Sequence, residues 1–424
     1  MVEEFKSVLK NRNFVYIWTS QILSQLTINI MNFIILIKLF GQTGSAIATS
    51  LLWVTYALPA ILIGPVASTF IDMVDKRKVL MITNILQGLT IFLLAMSHMT
   101  SIFILYEVVF IYSLLNQFYV PAEASTMPSV LKKNDLTRGN GLSFITQQAS
   151  LVLGFGVAGL LNHFLGFDNT LYLCALFLFM AFLSVSFLPE LKSKLTIPPD
   201  IILAIKSFLD NTLEGYRFIK DKRRIIAPFL LLLGFQVALT IVIVSFPVIA
   251  KEIFDINLNA AGIFIVIPAA LGAMISAFNL PRLIKKGWRK KRIIENSLMI
   301  LTITIATLVF VIPELSYVYR IVAGFITVFF AGLAFVGVAI PSQTYMQEIT
   351  SHKLRGRVFG NFWFLTTVVS VIPVVFSGTI TEIFGVRFFL FILAAFAFTV
   401  FIMSTKYADS WLNKDEKIYT DSRS

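Results

Sequence analysis

Charged residues are scarce in this chain of 424 residues, because Asp, Glu, Lys and Arg together make up only 14% of it. A soluble domain carries about 25% charged residues, so the composition excludes a soluble globular protein. The one cysteine, Cys174, excludes an intrachain disulfide and a cysteine-based zinc or iron–sulfur site. The three histidines are not at metal-ligand spacing. We therefore predict no bound metal and no cofactor.

Hydrophobic residues are abundant instead, at 57% of the sequence, and the mean hydropathy is +0.83. A helix needs about 20 mostly apolar residues to cross the roughly 30 Å hydrocarbon core of a bilayer. Twelve long stretches lack Asp, Glu, Lys and Arg: 13–37, 39–71, 79–106, 108–122, 139–167, 169–189, 225–250, 256–281, 296–313, 321–347, 358–381 and 388–405. The stretch 108–122 is the shortest, and it becomes long enough if Glu107 lies in the same helix. The sequence predicts an all-α integral membrane protein with twelve transmembrane helices, called spans 1 to 12 below.

The positions of Lys and Arg predict the orientation of the chain, because cytoplasmic loops carry an excess of both. If the N-terminus is inside and each span crosses in turn, 31 of the 35 basic residues lie in cytoplasmic segments. The other four lie at or near outer ends: Lys38, Lys251, Arg320 and Arg387. We predict a multi-pass protein of the inner (plasma) membrane with both termini cytoplasmic. The net charge of +12 then reflects orientation in the lipid bilayer, not nucleic-acid binding.

The longest connection divides the spans into two sets of six. After Pro198-Pro199, apolar residues recur at helical spacing from Ile202 to Tyr216, which predicts an amphipathic helix on the inner membrane surface. The predicted organisation is a six-helix bundle at 1–190, a linker at 191–226, a second six-helix bundle at 227–406 and a cytoplasmic tail at 407–424. Similar short motifs open spans 5 and 11, at 136–140 and 354–357, which indicates a parallel duplication.

Residues 68–78, read as Ser-Thr-Phe-Ile-Asp-Met-Val-Asp-Lys-Arg-Lys, resemble the signature loop of the major facilitator superfamily. Further segments are similar to the branch that holds macrolide-efflux proteins and bacterial siderophore exporters: Gly41 to Ala46, Pro121-Ala122, Pro341 to Thr344 and Leu354 to Gly360. The resemblance implies two bundles around a central pathway and a monomeric transporter. It also implies export of a small organic molecule, with protons as the counter-ion.

The resemblance also implies a gate at the inner ends of the helices. In the family, the aspartate equivalent to Asp72 faces the N-terminal dipole of a helix in the other half and latches the cavity. The alternative is that the basic residues anchor helix ends to anionic headgroups. The predicted gating residues are Asp72, Asp75, Lys76, Arg77, Lys78, Arg355, Gly356 and Arg357.

Polar residues inside the apolar spans mark the predicted substrate pathway. One stripe of span 1 carries four amides: Gln21, Gln25, Asn29 and Asn32. Amides facing lipid are unfavourable, so this stripe faces either a wet cavity or a neighbouring helix, and four in line favour the cavity. Further polar residues of spans 5 and 7 extend the lining: Gln147, Gln236 and Thr240.

Charged residues within or beside the spans are the remaining candidates. Glu107 is predicted to couple transport to protons, or else to reach the outer headgroups or pair with a cation. Arg320 is a partner for Glu107, a substrate anchor or an interface anchor. Glu123 and Glu348, at inner helix ends, are predicted to form structural ion pairs.

The predicted function is secondary active efflux of an amphipathic small organic molecule, coupled to protons. The antiporter motif of span 5 is altered to Gly154-Phe155-Gly156. This leaves open facilitated uptake, or lipid flipping, without proton antiport. ATP is not expected to drive transport, since no phosphate-binding Gly-rich Lys-Ser/Thr loop is present. The alternatives from other classes are a polytopic membrane enzyme and a receptor or purely structural protein. The scattered histidines disfavour the enzyme, and the duplication disfavours all of them.

Overall fold

The computed structural model describes residues 7–71, 73–97, 101–132, 135–191, 223–350 and 355–412. No strand occurs among these residues. The α-helices of seven or more residues are α1 (Arg12–Thr43), α2 (Ala46–Leu62), α3 (Gly64–Ile71), α4 (Lys76–Ser97), α5 (Ile102–Val130), α6 (Leu136–Leu165), α7 (Phe167–Ser186), α8 (Arg223–Val244), α9 (Phe246–Glu252), α10 (Ile267–Lys285), α11 (Lys290–Phe310), α12 (Tyr317–Ile349), α13 (Arg355–Phe384) and α14 (Val386–Leu412).

Within the described ranges, ten helical segments are long and apolar enough to cross a membrane. The pair α8 and α9 is an eleventh span if it is counted as one, although the helix bends by 58° between Val244 and Phe246. Pro247 follows this bend and, without a backbone N–H, cannot donate the hydrogen bond that would continue the helix.

Span 2 is also broken, into α2 of 17 residues and α3 of 8 residues. The break lies at Ile63, and Gly64 and Pro65 follow it, two residues that disfavour helix. The predicted count of twelve therefore holds only if each broken helix is counted as one span. Span 4 is confirmed as predicted, since α5 includes Glu107. The predicted amphipathic helix of the linker lies outside the described residues.

The chain divides into two compact units between α7 and α8. Two short segments are exceptions, because Ser45–Ser50 belongs to the second unit and Leu258–Gly262 to the first. In unit 1, α1 packs against α6 and α7, and α4 packs against α5 and α7. One cluster of its buried apolar side chains includes Phe14, Ile17 and Leu80.

Unit 2 is built on α12, which packs against α10 and α11, while α14 packs against α11. Two glycines allow α10 and α12 to approach closely. A Cβ on Gly272 would meet the carbonyl oxygen of Phe329, and a Cβ on Gly332 would meet that of Ala269. Backbone contacts of this kind are typical of helices packed in a membrane, where small residues let backbones approach.

Large apolar side chains point outward from the helices of both units. Phe103 and Phe164, for example, are 77% and 78% exposed. In water such surfaces would promote aggregation, whereas lipid tails solvate them. The helices are therefore those of a multi-pass membrane protein.

Candidate functional site

The four amides of span 1 lie along the side of α1 that packs on α6. Gln21 donates from Nε2 to the carbonyl oxygen of Ser143 at 3.4 Å, and only 6% of Gln21 is exposed. Asn29 is 8% exposed, and its Cβ would be 2.5 Å from a Cβ added at Gly154. Gln25 and Asn32 are half-buried. Two amides of the predicted stripe are thus used in the contact between α1 and α6, and the other two keep accessible surface.

The predicted polar residues of spans 5 and 7 differ in exposure. Gln147 is exposed on α6, whereas Gln236 and Thr240 are half-buried on α8. Thr240 donates from Oγ1 to the carbonyl oxygen of Gln236 at 3.0 Å, within the same helix. The Thr240 hydroxyl is therefore bonded to its own helix, and the side-chain amide of Gln236 is the larger of the two polar groups.

Arg320 is held by the turn that precedes α12. Its guanidinium donates to the carbonyl oxygens of Pro313 at 2.9 Å and Leu315 at 3.2 Å, and it pairs with Asp255 at 3.7 Å. These contacts, all inside unit 2, fix the end of α12 to the preceding turn. Glu107 belongs to unit 1 and lies on the exposed side of α5.

The signature loop is ordered by Asp75 and Arg77. Asp75 accepts hydrogen bonds at Oδ1 from the backbone N–H of Arg77 at 2.9 Å and of Leu191 at 3.3 Å. It therefore caps the N-terminus of α4, where backbone N–H groups lack helical partners. Arg77 donates to the carbonyl oxygen of Ser186 at 2.5 Å, which ties the loop to the end of α7.

The other predicted gating residues are either without a described role in ordering the signature loop or outside the described residues. Lys76 is half-buried and Lys78 is exposed. Asp72 lies outside the described residues. The backbone of Arg355, Gly356 and Arg357 begins α13, and their side chains lie outside the described part of the chain.

A second polar stripe on α1 was not among the sequence predictions. Ser20, Ser24 and Thr27 are each at most 3% exposed, and their spacing of four and three residues puts them on one face. With 100° per residue, this face lies roughly 120° around the helix from the amide stripe. The spacing was visible in the sequence, but Ser and Thr are common in membrane helices, where they bond to their own backbone.

The second stripe belongs to a buried hydrogen-bonded network in unit 1. Asn84 of α4 donates from Nδ2 to Ser20 Oγ at 3.1 Å, and Ser20 Oγ lies 3.3 Å from Tyr119 Oη of α5. The Oδ1 atom of the Asn84 amide is buried and has no hydrogen-bond partner among the described residues. The interior of unit 1 thus contains buried polar atoms whose hydrogen bonds are not all satisfied by the described residues.

The two acids predicted to form ion pairs behave differently. Glu348 pairs with Lys290 at 2.6 Å, as predicted. Glu123 is only 8% exposed and has no ion-pair or hydrogen-bond partner in the described ranges. Within the described ranges the ion pair predicted for Glu123 is therefore not formed, because none of these residues brings a cation to the place where the folded helices bury the acid. Among the described residues, no group of three or more His, Cys, Asp or Glu side chains could hold a metal ion.

Long apolar helices in two units, with polar side chains enclosed within them, define a polytopic membrane protein built around buried polar groups. The family model of the Major Facilitator Superfamily matches residues 17–374. The chain therefore belongs to the Major Facilitator Superfamily and is a secondary transporter.

Similar proteins include an uncharacterized MFS-type transporter, YfiS, of Bacillus subtilis (strain 168), which is 24% identical over 82% of this chain and 81% of its own length. Macrolide efflux protein A of Streptococcus pyogenes is 27% identical, but over only 35% of this chain and 37% of its own length. The solved structure of the nucleoside transporter NupG (D323A mutant) matches with a TM-score of 0.72 at 14% identity, covering 92% of this chain and 99% of NupG. At this identity the structural match shows the fold alone.

Proposed function

We propose that this transporter exports an amphipathic small organic molecule by alternating access, in exchange for protons. The observation that carries the proposal is the amide stripe of α1, where Gln25 and Asn32 keep accessible surface on a membrane-spanning helix. Amides in that setting bind polar parts of a substrate, and the surrounding apolar residues accept its hydrophobic parts.

The similarity to a macrolide efflux protein supports export as the direction of transport and a macrolide-like compound as one candidate substrate. We propose that the half-buried Gln236 on α8 and the exposed Gln147 on α6 belong to the same pathway. Arg320 is bound to Asp255 and to two carbonyl groups, so substrate contact would require it to leave them. We propose that the gate consists of residues of the signature loop and of the start of α13, as the resemblance implies: Asp72, Asp75, Lys76, Arg77, Lys78, Arg355, Gly356 and Arg357.

The experiment is substrate-driven proton flux in proteoliposomes that enclose a pH-sensitive dye. The probes are erythromycin, as a macrolide, and rhodamine 6G, as an amphipathic cation. We expect one or both to move protons in the direction opposite to the compound. The variant Gln25→Ala should reduce that flux several-fold, while Gln148→Ala, at an exposed position of α6, serves as control. Compound movement without proton movement would instead establish a facilitator.

The orientation is part of the proposal, with both termini in the cytoplasm of a cell whose inner (plasma) membrane holds the protein. The support is the distribution of Lys and Arg, 31 of 35 in predicted cytoplasmic segments. Fusion of green fluorescent protein to the C-terminus should give fluorescent cells, and fusion of alkaline phosphatase at the same place should give inactive enzyme. The reverse pattern would overturn the orientation.

The sequence-predicted proton carrier, Glu107, is tested by Glu107→Gln in the same flux assay. Loss of flux in this variant would place the coupling carboxylate at the exposed side of α5.

A further inference from the structure

The second acidic residue of α5, Glu123, is enclosed within unit 1. Its side chain is 8% exposed, whereas Glu107 of the same helix lies on the exposed side. Residues four and seven positions apart share a helix face. Tyr119 precedes Glu123 by four residues and follows Tyr112 by seven, so the three side chains lie in line, and both tyrosines are at most 1% exposed. The most deeply buried face of α5 therefore carries a carboxyl group.

No cation of the described residues neutralises this carboxyl group. The helices packed against α5 are α1, α3, α4 and α6, and α3 carries no charged residue within its described range. Arg77 is engaged by the carbonyl of Ser186, and Arg138 by Asp135. None of the charged or titratable side chains of the other three helices pairs with Glu123: Arg12, Tyr16, Lys38, Lys76, Arg77, Lys78, Arg138 and His163.

An ionised carboxylate without a partner is strongly unfavourable when it is removed from water. The neutral acid carries a far smaller cost, because burial penalises the charged form. We propose that Glu123 is a proton-binding site of this transporter, and that it holds a proton in the conformation described here. Its part in coupling rests on the proposed proton-coupled export; the occupancy of the site does not.

A buried hydrogen-bonded network lies beside Glu123. Tyr119, one turn away, is close enough to Glu123 to interact electrostatically. Its hydroxyl continues to Ser20 and Asn84 through contacts of 3.3 Å and 3.1 Å. The Asn84 Oδ1 atom, which has no partner among the described residues, extends the polar region further. Release transfers one proton from the Glu123 carboxyl to water and leaves a carboxylate, and loading reverses the step.

This placement distinguishes the two acids of α5. Glu107 is an exposed carboxyl group, and Glu123 is an enclosed one. An enclosed one changes protonation when the helices around it move and water reaches it, which is the property that coupling requires. The structure therefore favours Glu123 over Glu107 as the site where a proton is carried.

The first test measures the charge state directly and needs no substrate. The full-length protein in lipid is examined by infrared spectroscopy for the C=O stretch of a protonated carboxyl group near neutral pH. We expect a band in the wild type that is absent in Glu123→Gln and retained in Glu107→Gln, which makes the same change on the same helix. A band unaffected by Glu123→Gln would overturn the proposal.

The same variants also serve as a control for correct folding. Gln is nearly isosteric with the neutral acid, so Glu123→Gln should melt within a few degrees of the wild type, whereas loss of a structural anion would destabilise the protein. If Glu123→Gln does not fold, Glu123→Asp replaces it in the infrared experiment. A shifted carboxyl band in Glu123→Asp assigns the wild-type band to residue 123, and an unshifted band rejects that assignment.

The second test addresses coupling, with erythromycin and rhodamine 6G as probes. We expect Glu123→Gln to lower the substrate-evoked proton flux at least tenfold and Glu107→Gln to retain it. Wild-type flux that persists in Glu123→Gln would reject the coupling role and leave the proposed export standing. Absence of flux in the wild type would reject the proposed export, and the infrared result alone would then decide the proton site.

Discussion

Gly154 of α6 lies directly against Asn29 of α1, and a Cβ added at Gly154 would be 2.5 Å from the Asn29 Cβ. Real Cβ atoms do not approach each other so closely, so only glycine permits this contact. The contact sets how close α6 comes to the amide stripe of α1. The glycine in the altered antiporter motif therefore has a packing requirement of its own, independent of any motif role.

Gly154→Ala should destabilise unit 1 and reduce transport. Alanine normally stabilises a helix relative to glycine by about 1 kcal/mol, but overpacking costs about 1 to 3 kcal/mol and outweighs that gain here. The measurement is the melting temperature of the purified protein together with substrate flux.

Gly141→Ala is the matched control for this substitution, since Gly141 lies in the same helix and a Cβ added there would have nothing within 4 Å. It should melt at or slightly above the wild-type temperature. If both variants behave alike, the contact between Gly154 and Asn29 does not limit packing.

Gly272→Ala and Gly332→Ala should each destabilise unit 2. In both cases the new methyl group meets a backbone carbonyl of the facing helix, which has no rotamer by which to move away. Thermal unfolding followed by tryptophan fluorescence would report the loss. Gly234→Ala, whose Cβ meets Phe396 at an ordinary 3.6 Å, should leave the unfolding temperature nearly unchanged.

Asp75→Ala should destabilise the N-terminus of α4. The carboxylate accepts hydrogen bonds from the N–H groups of Arg77 and Leu191, and loss of a helix cap costs about 0.5 to 2 kcal/mol. Asp75→Ser retains a capping oxygen and should recover most of the stability. If Asp75→Ser melts at the same lowered temperature as Asp75→Ala, the capping hydrogen bonds contribute little and the charge of Asp75 matters instead.

Glu382→Ala should loosen the N-terminus of α2. Glu382 Oε2 accepts hydrogen bonds from Ser45 Oγ at 2.6 Å and from the Ile47 N–H at 3.0 Å. A carboxylate at a helix N-terminus is favoured by the helix dipole, and hydrogen bonds to charged groups contribute about 1.5 to 3 kcal/mol. The Ile47 amide should therefore exchange with deuterium about tenfold faster or more.

Glu314→Ala tests whether any lost surface carboxylate has the same effect. Glu314 pairs with Arg387 at 2.9 Å, and both side chains are more than half exposed. Such pairs contribute about 0 to 1 kcal/mol, so exchange at Ile47 should match the wild type in this variant.

The sequence was sufficient to predict where most helices run, because charges bound the spans. The inclusion of Glu107 in α5 followed from length alone. The break between α2 and α3 was not predicted, although Gly64 and Pro65 were visible, because many membrane helices pass through proline with only a kink. Where neighbouring helices supply partners, a proline need not end the helix.

The interior of unit 1 was less predictable than its helices. The amide stripe of α1 was recognised from its spacing, but its division into buried Gln21 and Asn29 and accessible Gln25 and Asn32 depends on where α6 packs. The protonation state of Glu123 depends on whether a cation from another helix lies close to its carboxyl group. Neither relationship is local in sequence, so only the folded positions of several helices determine it.

Cys174 provides a practical consequence. It is the only thiol of the 424-residue chain, and its side chain is fully buried in α7. The natural protein is therefore close to a cysteine-free background for site-directed labelling. Pairs of cysteines introduced at exposed positions can carry spin labels or fluorophores, and distances between them can be followed during transport without first replacing a native residue.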